Sequence, residues 1–389
     1  MKKFIIYITI FALLFVYSGC GKDEAETTPA TSTAAETTLQ TDPGTEPTVV
    51  PTETEPPVAV VQQPMAAVYL PVQIEDTVAE DGTVLFRRGQ QSMVLTAEDP
   101  DVADRIILDF LNRTDNNAEI PELIETARQQ HADSVSFLPL YQQTVYSAQR
   151  IDSGILSLYG IDLTFQGAVH PTTICKSVTY DLLTGNVLSL GDILTGDTTM
   201  DTLCEKVTTV LDGMSENLFP DYASLVSDLF NRSISEYSDW YLSSDGLCFY
   251  FNPYEIANYS AGNIIATVPY SALMNILQDA YFPPEEDVAR GTLSQSAFSQ
   301  ELIGDFTQIA EVPLGTTGRK VVLYTDYSIH DIRITQKSPS IGNPDYEETQ
   351  TVFAAAGLTP GDAIVITVPE NTEVTVSYIS NGQTYCDTV

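Results

Sequence analysis

Apolar and polar positions follow several different rhythms along this chain. From Phe4 to Val16 the residues are almost unbroken apolar. Residues 21–64 carry no aromatic residue and no apolar period, and Thr, Pro, Glu and Ala dominate them. Such a stretch buries too little surface to offset chain entropy, so it reads as an extended linker. Patterned sequence begins near Ala67, with Val68 to Val72 as a strand. Asp99-Pro100-Asp101 opens a helix whose Val102, Ile106, Leu108 and Leu111 are spaced for one apolar stripe. A second helix spans Glu119 to His131. Strands follow over Gln143–Ile151, Gly154–Thr164 and Thr173–Leu183, closed by a Thr184-Gly185-Asn186 turn. Val187 to Leu190 forms a further short strand, with Asp192 capping the next turn.

Helical spacing returns over Met200–Leu211 and Tyr222–Phe230. Two apolar runs, Asp239–Leu242 and Leu247–Phe251, flank Ser244-Asp245-Gly246, a hairpin signal. Asn263–Val268 is another strand, and Pro269 opens a short helix to Leu277. Helices and strands segregate, which predicts an α+β fold of mixed sheets and helices. After Pro283-Pro284-Glu285-Glu286-Asp287 the pattern is all-β, with strands at Arg319–Tyr324, His330–Gln336, Thr351–Ala355, Ala363–Val368 and Glu373–Tyr378. Short strands at this spacing predict a small sandwich. The expected organisation is a leader at 1–20, a linker at 21–64, an N-terminal α/β module at 67–165, an α+β module at 166–282 and a sandwich-like domain at 290–389.

The leader changes the picture most. Lys2-Lys3, the apolar run and Ser18-Gly19-Cys20 match a secretory signal of the bacterial lipoprotein type, in which Cys20 carries lipid after cleavage. Tyr17 stands where such signals usually have Leu, and an uncleaved anchor is the competing reading. The apolar run is short for a span, which needs roughly 20 apolar residues. Both readings place the folded body outside the cytoplasm, held at the outer face of the cell membrane.

Charge comes next: 17 Lys+Arg stand against 53 Asp+Glu, a net of −36. Nucleic acid is excluded as a partner, because phosphate contacts need basic clusters. Anionic headgroups repel such a body, so the lipid does the anchoring, and a cationic partner is attracted. Cys175, Cys204, Cys248 and Cys386 are an even set that allows up to two disulfides in an exported protein. They are widely scattered, without Cys-x-x-Cys spacing, and read as free buried thiols. No zinc pattern, P-loop, Gly-x-Gly-x-x-Gly or Gly-x-Ser-x-Gly is present, so no metal, cofactor or serine nucleophile is expected.

Two blocks carry a family resemblance. One is Gly167-Ala168-Val169-His170-Pro171 followed by Val178–Gly185 and Leu188–Asp192. The other runs from Leu247 through Asn252-Pro253-Tyr254-Glu255-Ile256-Ala257 to Tyr259, Ala261-Gly262 and Val268-Pro269-Tyr270. Together they resemble a two-module extracellular unit of unknown function found in Gram-positive bacteria. That unit forms the outer part of the lysozyme-binding anti-sigma factor RsiV and the N-terminal part of the peptidoglycan deacetylase PdaC. The resemblance covers roughly residues 67–280. At the first block the family's Gly-Gly-Ala-His is replaced by Gly167-Ala168-Val169-His170. Only three residues precede the apolar run, so no sigma-factor domain is expected, and the deacetylase's Asp-Asp-Gly-Pro motif is absent.

The resemblance implies a binding module, with lysozyme, another cationic protein or a wall component as partner. His170, Tyr254 and Glu255 are the candidate binding residues. His170 reads more readily as a turn-fixing residue, because no partner set accompanies it. Tyr254 can pack on the sheet, and Glu255 can cap the following turn. The alternatives are a peptidoglycan-active enzyme with a site near His170, and a passive structural lipoprotein.

Overall fold

The computed structural model describes residues 65–115, 117–134, 136–284, 291–343 and 345–389. The leader, Cys20, the linker and residues 285–290 of the acidic boundary lie outside the described residues. Met65 to Leu70 are all buried. Pro71 has no N–H to give a ladder, and the strand expected over Val68–Val72 divides there. The products are β1 (Ala67–Tyr69) and β2 (Val72–Val78). The chain continues through β3 (Val84–Gln91), β4 (Val94–Thr96), α1 (Pro100–Thr114) and α2 (Ile120–Asp133). Then come β5 (Leu140–Ile151), β6 (Ile155–Phe165) and β7 (Thr172–Asp181).

Five of these strands form one sheet in the order β2-β3-β5-β6-β7, parallel only between β3 and β5. The side chain of Asp99 accepts from Asp101 N and caps α1, with Pro100 in its first turn. Val102, Ala103, Ile106 and Phe110 face the core. Leu108, expected on that stripe, is 62% exposed, and Leu111 is also exposed. Two residues past Ile106 is about 200° around the helix, which points Leu108 away from the sheet.

The second set of elements comprises α3 (Leu190–Ile193), α4 (Met200–Asp212), α5 (Tyr222–Phe230), β8 (Trp240–Leu242), β9 (Gly246–Phe251) and β10 (Ile264–Pro269). The three strands make an antiparallel sheet, β10-β9-β8. Leu203, Val207 and Leu211 of α4, spaced by four, pack with Val226, Phe230, Phe249 and Phe251. Gly246 is required at its position, because a Cβ there would clash with Val268 O on β10. Two expected elements shrink. Val187–Leu190 contributes one bridge, Val187 to Tyr180, because Ser189 instead caps α3 with Asp192. The helix expected to Leu277 is a single 3-10 turn at Tyr270–Ala272. Tyr159, Cys175, Tyr241, Cys248 and Tyr250 form a buried cluster drawn from β6, β7, β8 and β9.

The C-terminal region contains β11 (Leu293–Ala297), α6 (Gln300–Ile303), β12 (Gln308–Pro313), β13 (Arg319–Thr325), β14 (Ile329–Pro339), β15 (Glu347–Leu358), β16 (Asp362–Val368), β17 (Val374–Ser380) and β18 (Gln383–Thr388). A four-stranded sheet, β11-β13-β16-β12, packs against a six-stranded sheet, β18-β17-β14-β15-β1-β4. β1 pairs with β15 on one side and β4 on the other, with Val68 opposite Ala354 and Leu95. The sheet expected within 290–389 therefore takes two of its strands from residues 67–96. Successive side chains of a strand point to opposite faces. Met65, Ala67 and Tyr69 join the core between the two terminal sheets. Ala66, Val68 and Leu70 join the core under α1 and β5–β7. One strand is thus a wall of two cores. Arg333 on β14 adds a second tie, donating from Nη1 to Ala148 O at 2.6 Å and from Nη2 to Gln149 O at 2.9 Å on β5.

The described residues are thus mixed α+β, and no helix among them is long and apolar enough to cross a membrane. Tyr69→Ala and Leu70→Ala cut into different cores and should each cost about 2–5 kcal/mol. Thermal unfolding should show one transition that both substitutions lower. Two transitions, each responding to only one substitution, would contradict the shared wall.

Candidate functional site

Two loops meet beside the edge strand β7: residues 166–171, which connect β6 to β7, and residues 252–261 after β9. Gly167 allows the first loop its shape, with φ of 86°. Gln130 of α2 holds that loop, its Nε2 donating to Gln166 O at 3.1 Å.

The second loop is built around Asn252. Its Oδ1 accepts from Cys175 N on β7 at 2.7 Å, tying the loop to the neighbouring sheet. Its backbone N–H donates to Glu255 Oε2 at 2.7 Å, and its Nδ2 donates to Glu255 Oε1 at 3.4 Å. Glu255 N returns a bond to Asn252 O at 3.1 Å. Tyr254, enclosed by this clamp, donates from its backbone to Ala257 O at 3.1 Å and adopts φ of +72°. A left-handed conformation costs a residue with a Cβ roughly 1–2 kcal/mol. The clamp holds a bulky aromatic residue there, and Tyr254 is 60% exposed.

The two loops join through Tyr259. The His170 ring stacks on Tyr259 with centroids 4.0 Å apart and planes at 24°. Tyr254 lies 5.7 Å from the same ring at 31°. Pro171 O accepts from the Tyr259 hydroxyl at 3.1 Å and lies 3.0 Å from His170 Nδ1. A carbonyl can only accept, so Nδ1 carries the proton in that contact. Val169, at the tip of the first loop, is fully exposed, and Ile174 on β7 is 46% exposed. Tyr141 stacks on Phe165 at 5.3 Å. Burial pushes the Tyr141 hydroxyl up to about 12, with Tyr259 and Glu348 adding to the effect.

The structure thus brings His170 and Tyr254 together, through a residue that the sequence reading quoted only as part of a motif. Glu255 turns inward, and both its oxygens are committed to Asn252. Of the three candidates it is the one that shapes the site without presenting itself. Cys20 lies outside the described residues. Tyr259, Val169 and Asn252 were missed as site residues. Tyr259 had a readable signal, its place five residues after Tyr254 in one block. Asn252 had none, because its bond to β7 joins residues 77 apart.

Among the described residues the contacts of His170 are a ring and a carbonyl, and no carboxylate there is bonded to it to orient it as a base. His131, next to Gln130 on α2, pairs with Asp81 at 3.0 Å, and His330 sits on β14. No group of three or more metal-capable side chains occurs among the described residues. Cys175 and Cys248 are buried free thiols and Cys204 a half-buried one, whereas Cys386, also expected to be free, is disulfide-bonded. Burial pushes Cys175 up to about 12, which makes it a poor nucleophile.

Residues 191–271 match a family model described as "Protein of unknown function (DUF3298)". The matched segment contains Tyr254, Glu255 and Tyr259 and stops short of His170. Among solved structures, a DUF3298 family member from Bacteroides fragilis is 16% identical, with a TM-score of 0.42, over 56% of this chain and 96% of that one. A DUF3298 family protein from Pseudomonas aeruginosa is 17% identical, with a TM-score of 0.39, over 56% of this chain and 97% of that one. No curated protein matches.

Replacing Tyr254 separates ring from backbone. Tyr254→Ala and Tyr254→Gly lose the same ring contact, but only glycine adopts φ of +72° freely. The glycine variant should be more stable than the alanine variant by about 1 kcal/mol in chemical denaturation. Equal stabilities would mean that the backbone there is not strained.

Proposed function

We propose that this chain is a lipid-anchored binding protein of the outer cell envelope, and that it contacts its partner through the surface around His170, Tyr259 and Tyr254. The observation that carries this reading is Tyr254. Strained backbone held by its surroundings clusters at functional sites. Here the strain places an aromatic ring in solvent rather than in the core. Exposed aromatic residues are the anchors that dominate binding energy at protein interfaces.

Two further features support the partner class. The net charge of −36 accelerates encounter with a cationic protein. The Leu247–Tyr270 block resembles the outer part of the lysozyme-binding anti-sigma factor, and lysozyme is the cationic partner that this resemblance suggests. The lipid at Cys20 rests on the leader, with its apolar run and Ser18-Gly19-Cys20. The peptidoglycan-active alternative near His170 has less support, since among the described residues the contacts of His170 are a ring and a carbonyl, with no acid or base bonded to it.

Calorimetric titration of the full chain with lysozyme tests the reading. Binding should be present at low salt and weaken at moderate salt as the charges are screened. Tyr254→Ala should weaken it at both. No binding at either salt would remove lysozyme as the partner, and release of product from peptidoglycan would favour the enzyme.

A further inference from the structure

We infer that the exposed ring of Tyr254 is a seat for the guanidinium of an arginine on a cationic protein partner. The inference rests on the binding reading of the His170–Tyr259–Tyr254 surface and names the chemistry that surface selects.

Three observations point to it. Tyr254 has one ring neighbour among the described residues, Tyr259, and 60% of its own surface stays in solvent. The chain's own cation–π contacts among the described residues are elsewhere. Arg150 lies 5.7 Å from the Tyr270 ring and Lys320 lies 5.2 Å from the Phe298 ring. The face of Tyr254 is therefore not already taken by an internal cation. The setting is acidic as well. The whole chain carries 53 acidic against 17 basic residues, which favours a cationic occupant.

A cation over an aromatic face is attracted by the ring quadrupole. Arginine suits this seat better than lysine. Its guanidinium is planar, stacks on aromatic faces and sheds water more readily than an ammonium. Once seated, it would continue the stack that His170, Tyr259 and Tyr254 begin. A neutral glycan would gain nothing from the surrounding charge.

The test compares a hexa-arginine with a hexa-lysine peptide, equal in charge, titrated into the full chain at moderate salt. The arginine peptide should bind about threefold or more tighter. Tyr254→Phe should keep that preference, and Tyr254→Ala should abolish it while the melting temperature shows the fold intact. Equal affinities for the two peptides, a preference unchanged in Tyr254→Ala, or no binding of either peptide would each overturn the inference. The lysozyme titration is independent of this outcome. Lysozyme bound without an arginine preference would sink the guanidinium seat and leave the binding reading standing. An arginine preference without lysozyme binding would remove lysozyme as the partner and leave the guanidinium seat standing.

Discussion

The candidate site depends on one side chain, the carboxamide of Asn252. Its oxygen accepts from Cys175 N on β7, and its nitrogen donates to Glu255 three residues on. The first bond joins the loop after β9 to the edge of the five-stranded sheet. The second, with the bond from Asn252 N to Glu255, closes the clamp around Tyr254. A carboxylate accepting from an amide makes a charge-assisted bond, stronger than the neutral kind. That strength holds Tyr254 in a conformation its own Cβ resists. Asn252 ties the loop bearing Tyr254 and Tyr259 to β7, and Tyr259 completes the junction by reaching Pro171 O and stacking on His170.

The scaffold has a comparable economy. β1 contributes to two cores because a strand presents alternate side chains to opposite faces, and Met65 to Leu70 are apolar at every position. The strand lies immediately after the stretch read as a linker. Under the anchored reading, pull on the tether would enter the fold through β1, the strand next to the edge of a six-stranded sheet. β15 and β4 hold β1 from both sides, so the load spreads over two ladders.

Much of this was legible in the residues. The strands β5, β6 and β7, the helices α4 and α5 and the β8–β9 hairpin all fall where period and turn chemistry placed them, within a few residues. The failures have physical causes. β2 reads Val-Gln-Ile-Glu-Asp-Thr-Val, polar because it is an edge strand with most of its side chains in water. β11 and β18 are also polar edge strands of their sheets, and neither shows the apolar run that betrays a buried strand. The pairing of Val68 with Ala354 joins positions that no local pattern connects. Within the site, His170 and Tyr254 were readable because a loop histidine beside Gly167 and an aromatic after Asn252-Pro253 are unusual. Their proximity was not, because it arises from the Asn252 bond to β7 and from Tyr259 reaching Pro171 O.

The central claim is that partner contact falls on the surface shared by the two loops. Backbone hydrogen exchange of the full chain, with and without saturating lysozyme, measures that directly. The account predicts slowed exchange in residues 167–170 and 254–261, with the terminal sheets unchanged. Protection confined to residues 291–389, with both loops exchanging as in the free chain, would contradict it.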